Sequence, residues 1–158
     1  MEVKFSSEVP VKLGKARNGF MLSYNVVETP MEEIIRQWQS QRGGMDGEDV
    51  SEPDAEFVRS HKYMYHEVRV AHGQWNYGGI VNAIVRDKYG VDEMEGITNN
   101  VTAVVSEFFE HLVVDGLMSA TKYLSEAFKG GSLNMEDFRA MQEWRLMAKR
   151  EAKKVIDL

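Results

Sequence analysis

The chain contains no cysteine. Structural disulfides, zinc–thiolate sites, iron–sulfur clusters and thiol catalysis are therefore excluded, and the composition suits a reducing cytoplasm. No stretch approaches the run of about 18 apolar residues that a membrane span needs, so no membrane association is expected. The opening MEVKFSSEVP has no basic region leading into an apolar one, and no signal peptide is expected. The local signatures of the commonest sites are missing as well: the phosphate-binding GxxxxGK, GxGxxG after a strand, GxSxG, HExxH and the EF-hand loop. The segment Asp46-Gly47-Glu48-Asp49-Val50-Ser51 is acidic, but it lacks the alternating oxygen ligands and the distal glutamate that hold calcium. No cofactor and no resident metal are expected on these grounds, and the chain reads as a non-enzyme.

What is present is an ordinary globular composition. Of 158 residues, 43% are apolar and 28% charged, which argues against wholesale disorder. That length suits one domain over 1–158, able to bury roughly two-thirds of the surface of its unfolded form. The net charge of −6 argues against nonspecific binding of a nucleic-acid backbone by the domain as a whole. The charge is uneven, however. Asp46, Glu48, Asp49, Glu52, Asp54 and Glu56 make one segment acidic, while Arg139, Arg145, Lys149, Arg150, Lys153 and Lys154 make the C-terminal segment basic. Such segments either pair, within a chain or between neighbours, or simply form solvated faces.

Periodicity points to a mainly α, α+β fold: an N-terminal β-hairpin over 1–28 followed by a body of about five helices. Phe20, Leu22, Tyr24 and Val26 alternate with their neighbours at period two, as do Val9, Val11 and Leu13, and Asn18-Gly19 is a turn signal. A protruding ribbon with a basic tip is expected. Thr29 and Glu32 have capping-box spacing around Pro30 and open a helix over 29–42, in which Ile34, Ile35 and Trp38 share a face. An acidic loop follows over 43–52. From Pro53 to His72 the residues Phe57, His61, Met64, Tyr65, Val68 and His72 fit helical spacing. The dense aromatic and branched run Tyr63–Val70 keeps a strand as the alternative, and helix is favoured.

Gly73 ends that run. Tyr77, Ile80, Val81, Ile84, Val85 and Tyr89 then form the cleanest amphipathic pattern, which Gly90 closes as a left-handed cap. Asp92 and Glu95 open a further helix. Val101, Val104, Val105, Phe108 and Leu112 mark its buried face, and a stripe through Leu117, Ala120, Leu124 and Ala127 reaches Phe128. Asp115-Gly116 marks a kink. Asn134 caps a last helix with Phe138, Met141, Trp144, Ala148, Ala152 and Val155 on one side.

Two groups of side chains invite a chemical reading. His61, His66 and His72 are close in sequence, but on a helix His61 and His72 lie about 16 Å apart, too far for one metal. Glu107, His111 and Asp115 follow at i, i+4 and i+8. Neighbours in this trio can share a metal or relay a proton, but Glu107 and Asp115 are about 12 Å apart along the axis, so a metal needs a second helix. The plainer expectation for the trio is a solvated polar face. For a partner interface the candidates are Trp38, Trp75, Tyr77 and Trp144, because aromatics are enriched in interfaces, together with Arg145, Lys149, Arg150, Lys153 and Lys154.

From Tyr77 to Asn100 the chain reads YGGIVNAIVRDKYGVDEMEGITNN. Ile84, Val85, Arg86, Lys88, Tyr89, Asp92, Glu93, Glu95, Gly96 and Ile97 give a helix ending, an acidic turn and a following helix. This segment resembles one that recurs in small uncharacterised proteins of gut Bacteroidetes and their phages. The final helix, FRAMQEWRLMAKREAKKVI, is similar in style to the tails of such proteins. The resemblance implies a phage setting, a virion or tail-associated component, and brings no catalytic residue with it. The expectation is thus a non-enzymatic structural or interaction protein, cytoplasmic or in a virion, that forms homo- or hetero-oligomers with protein partners. A metal protein using Glu107, His111 and Asp115, and a nucleic-acid-binding regulator using the basic final helix, are the alternatives.

Overall fold

The structure, a computed structural model, describes residues 1–41, 52–129 and 135–156. The acidic segment 43–51 and its glycines, Gly130-Gly131 and the Asn134 cap lie outside the described residues. The fold is α+β, with six helices and one four-stranded antiparallel sheet among the described residues. The chain forms two compact units, Met1–Ala83 and Ile84–Leu158.

In the first unit, β1 (Lys4–Ser6), β2 (Leu13–Ala16), β3 (Gly19–Glu28) and β4 (Tyr63–Ala71) make a sheet of order β1-β4-β3-β2. The hairpin β2–β3 is present, but it is not a protruding ribbon. The far edge of β3 is paired with β4, with Leu22 opposite Val68 and Phe20 opposite Val70. Leu22, Tyr24 and Val70 are fully buried on one face of the sheet, and His66 joins them. The expected helix over 53–72 is corrected here. Only α2 (Ala55–Ser60) is helical, capped by Asp54, whose Oδ1 accepts the Phe57 amide at 2.8 Å. Tyr63–Ala71 is β4, which finds partners on both edges. Helical spacing in Phe57–His72 was coincidental; long-range pairing decided the matter.

The turn of β2–β3 also differs from expectation. Ala16 pairs with Gly19, so the two turn residues are Arg17 and Asn18, and neither has positive φ. Gly19 is needed for another reason. A Cβ there would stand 2.1 Å from the Val70 carbonyl oxygen, so only glycine lets β3 approach β4 at this point. Further along, Tyr24 pairs with His66 and Val27 with Met64, leaving Asn25 and Val26 opposite Tyr65 alone. This β-bulge is turned by Asn25 at φ 52°.

Helix α1 (Met31–Gln41) begins later than the capping-box spacing implied. The Thr29 amide donates to the Lys62 carbonyl, extending the β3–β4 pairing by a residue, and the first helical amides return to Pro30. Thr29 Oγ1 is buried with no hydrogen-bond partner, so it does not cap. Ile34 and Trp38, one turn apart, are buried, while Ile35 is partly exposed.

The boundary between the units falls within α3 (Tyr77–Lys88), which opens with Asn76 Oδ1 accepting the Gly79 amide at 2.9 Å. The second unit continues with α4 (Val91–Val114), α5 (Leu117–Lys129) and α6 (Met135–Ile156). Gly90 is not a left-handed cap. It has extended backbone and is the N-cap of α4, with Glu93, not Glu95, reaching back to its amide at 3.3 Å. Asp115-Gly116 ends α4 outright. Gly116 adopts φ 83°, a left-handed conformation that L side chains rarely take, and α5 starts immediately after. Val104 and Ala127 are buried between α4 and α5, with Val101, Tyr123, Leu124 and Met135 against them. Met141, Ala148, Ala152 and Val155 form the buried side of α6. Val105, Leu117 and Phe128, expected inside, are exposed instead.

Candidate functional site

The three histidines of the first unit sit on separate elements and do not share a helical face. His61 ends α2, stacked on Phe57 with ring centroids 3.9 Å apart. His66 is on β4, and its Nδ1–H donates to the Glu2 carbonyl at 3.1 Å. His72 meets Phe20 edge-on at 4.9 Å. Each is occupied by packing or a local hydrogen bond rather than aimed at a common point.

The Glu107, His111 and Asp115 trio divides in two. His111 Nδ1 lies 3.2 Å from Asp115 Oδ2 at the end of α4. Glu107 turns instead to α5 and accepts a hydrogen bond from the Tyr123 hydroxyl. That bond holds the phenol proton, aided by partial desolvation and the carboxylate charge, and keeps the Tyr123 pKa above its ordinary 10.0. Ser119 Oγ comes within 3.5 Å of His111, which places Ser, His and Asp side by side. The arrangement is not a nucleophilic relay, however. A relay needs the carboxylate on one imidazole nitrogen and the hydroxyl on the other, and both contacts fall on Nδ1. Among the described residues no group of three or more His, Asp or Glu side chains is placed to hold a metal ion. An open depression of about 450 Å³ beside the pair is lined by Asn100, Val104, Glu107, Tyr123 and Glu126.

Tyr123 and Ser119 escaped the sequence reading. The signal that finds them is the break at Asp115-Gly116. It folds α4 and α5 antiparallel, so residues equally distant from Asp115 face each other, Glu107 with Tyr123 and His111 with Ser119.

The proposed interface residues are scattered. Trp38 is corrected outright: it is buried at 6% exposure, edge-on to Phe57 at 4.9 Å, and belongs to the core of the first unit. Trp75 is half-buried against Phe20, while Tyr77 is exposed. In the second unit the half-buried Trp144 donates its Nε1–H to the Ile84 carbonyl at 3.1 Å, and Lys88 Nζ sits 4.4 Å over its ring. These contacts anchor α6 to the end of α3. Arg145 is half-buried. Lys149, Arg150 and Lys153 are exposed along the outer face of α6, and Lys154 pairs with Glu151 at 2.6 Å.

The most unusual surface was not anticipated. At the α4–α5 turn Val113, Val114, Leu117 and Met118 are exposed by 83%, 78%, 65% and 88%. Phe109 and Val105 continue this apolar surface back along α4 at four-residue steps. Isolated exposed apolar side chains are normal, but a run of this kind leaves apolar area in water that burial would remove.

No family model, no curated protein and no solved structure matches this chain. Among the described residues no helix is long and apolar enough to cross a membrane.

Proposed function

We propose that the chain is a non-enzymatic structural or interaction protein that assembles with protein partners, further copies of itself among them, into a larger complex. The observation that carries this is the apolar end of the second unit: Val113, Val114, Leu117 and Met118, with Phe109 behind them, are exposed on the α4–α5 helical hairpin. Burial of such side chains is favourable by about 25 cal/mol per Å² of apolar area removed from water, and nothing among the described residues supplies that burial. The segregation of acidic and basic segments supports the same reading, because it gives an assembly orientation as well as adhesion. The likeness of Tyr77–Asn100 to segments in phage-associated proteins makes a virion or tail-associated component the setting we favour.

Mass measurement by light scattering and sedimentation velocity, over a range of concentrations and salt, tests the self-assembling form. Oligomers that grow with concentration are expected. A strict monomer under every condition, with no portal, capsid or tail genes adjacent, would remove both the assembly and its setting.

The exposed Lys149, Arg150 and Lys153 on α6 favour a second reading, a regulator that binds nucleic acid. Its signature is binding that weakens steeply with salt, and absence of binding to a duplex at low salt rejects it.

A further inference from the structure

The α4 helix carries an outward face that nothing among the described residues covers. Thr98, Thr102, Val105, Phe109 and Val113 run along it at three- and four-residue steps, all exposed and all uncharged. The charge around this face is of one sign. Between Lys88 and Lys122 the sequence has no lysine or arginine; Glu95 precedes the uncharged row, and Glu110 stands beside its Phe109–Val113 end. The outer face of α6 is its counterpart. Arg139, Glu143, Leu146, Lys149, Arg150 and Lys153 run along it, all exposed, four cations to one carboxylate and one leucine, which is 57% exposed. Arg145, one position away, is half-buried and stands apart from this row. Among the described residues, none of Glu95, Glu110, Arg139, Lys149 and Lys153 forms an ion pair within its own chain.

Spacing turns this opposition of charge into a register. At 1.5 Å per residue, Glu95 and Glu110 are about 22 Å apart along α4, and Arg139 and Lys153 about 21 Å apart along α6. Laid antiparallel, Glu110 meets Arg139 and Glu95 meets Lys153. Leu146 then falls midway, over Thr102, with Glu143 toward Val105. At one end the exposed Val91 meets the exposed Ile156. Antiparallel alignment also opposes the two helix dipoles, and the aliphatic stems of Lys149 and Arg150 cover apolar surface while their charges stay in water.

On this basis, and resting on the self-assembling form of the proposed function, we infer that the outer face of α4 docks the basic outer face of α6 from a second copy of the chain, antiparallel. The contact joins two different surfaces, so it either closes reciprocally in a dimer or propagates from copy to copy.

The test uses the full chain and two charge-reversed variants, Arg139→Glu with Lys153→Glu, and Glu95→Lys with Glu110→Lys. All four positions are exposed, and circular dichroism with a cooperative melt verifies that each variant folds. Sedimentation velocity then measures self-association. Each variant alone should weaken it at least tenfold. An equimolar mixture should recover it, because each variant's altered face then meets a complementary one. If wild type assembles and either variant assembles equally well, or if the mixture fails to recover, this docking is wrong while self-assembly stands. A wild type that stays monomeric at every concentration overturns both.

Discussion

Tyr123 shows how one side chain can report on the α4–α5 hairpin. Its hydroxyl donates to Glu107, so the folded state holds the phenol proton more tightly than the unfolded one. A folded pKa raised in this way contributes stability that is present below pH 10 and is lost as pH rises through the folded value. Glu107→Gln should therefore lower the Tyr123 midpoint toward 10.0, read as the phenolate absorbance in an alkaline titration. A midpoint that does not move would mean that the hydrogen bond is absent in solution. Gly19 makes a sharper demand, because the missing Cβ is what allows β3 to lie against the Val70 carbonyl. Gly19→Ala forces backbone apart in the central strand pair and should cost about 1–3 kcal/mol, the usual range for overpacking. Urea unfolding measures this, and a loss below ~0.5 kcal/mol would show that the strands part easily there.

The elements explain why some of the fold was legible in the sequence and some was not. Helices α3, α4 and α6 carry their own evidence: a buried stripe at helical spacing, such as Met141, Ala148, Ala152 and Val155, needs no distant partner to be recognised. Strand β4 does not. Tyr63–Ala71 is dense in aromatic and branched residues at positions that fit either period, and what makes it a strand is β1 and β3, drawn from far away in the chain. The same long-range pairing displaced the start of α1 by capturing the Thr29 amide. This displacement has a measurable consequence. A capping threonine lost to an apolar residue costs typically ~1 kcal/mol. Thr29 Oγ1 makes no hydrogen bond, so Thr29→Val removes an unsatisfied buried hydroxyl, and stability should stay level or rise. A loss of about 1 kcal/mol in chemical denaturation would restore the capping role. Candidate-site residues were legible only along a single helix. Glu107, His111 and Asp115 were visible as a row, but their division between Tyr123 and each other follows from where Gly116 folds the row back.

Across the whole molecule the distribution of charge matters more than its sum. A net charge of −6 suggests mutual repulsion between copies. Yet the carboxylates around α4 and the cations of α6 lie on different helices, so in the proposed docking repulsion on average would coexist with attraction in one orientation. Under that proposal these two effects respond oppositely to salt, and the exposed apolar end at Val113 and Met118 would supply a third, salt-tolerant contribution. Screening length falls from about 10 Å at 0.1 M to about 3 Å at 1 M ionic strength. If oriented ion pairs such as Glu110 with Arg139 guide association, the association rate should fall markedly over that range, while the dissociation rate changes less because apolar contact survives screening. Stopped-flow mixing at several salt concentrations separates the two rates. An association rate that instead climbs steadily with salt would mean that general repulsion dominates the encounter, leaving the apolar surface to hold copies together without the helices selecting their register.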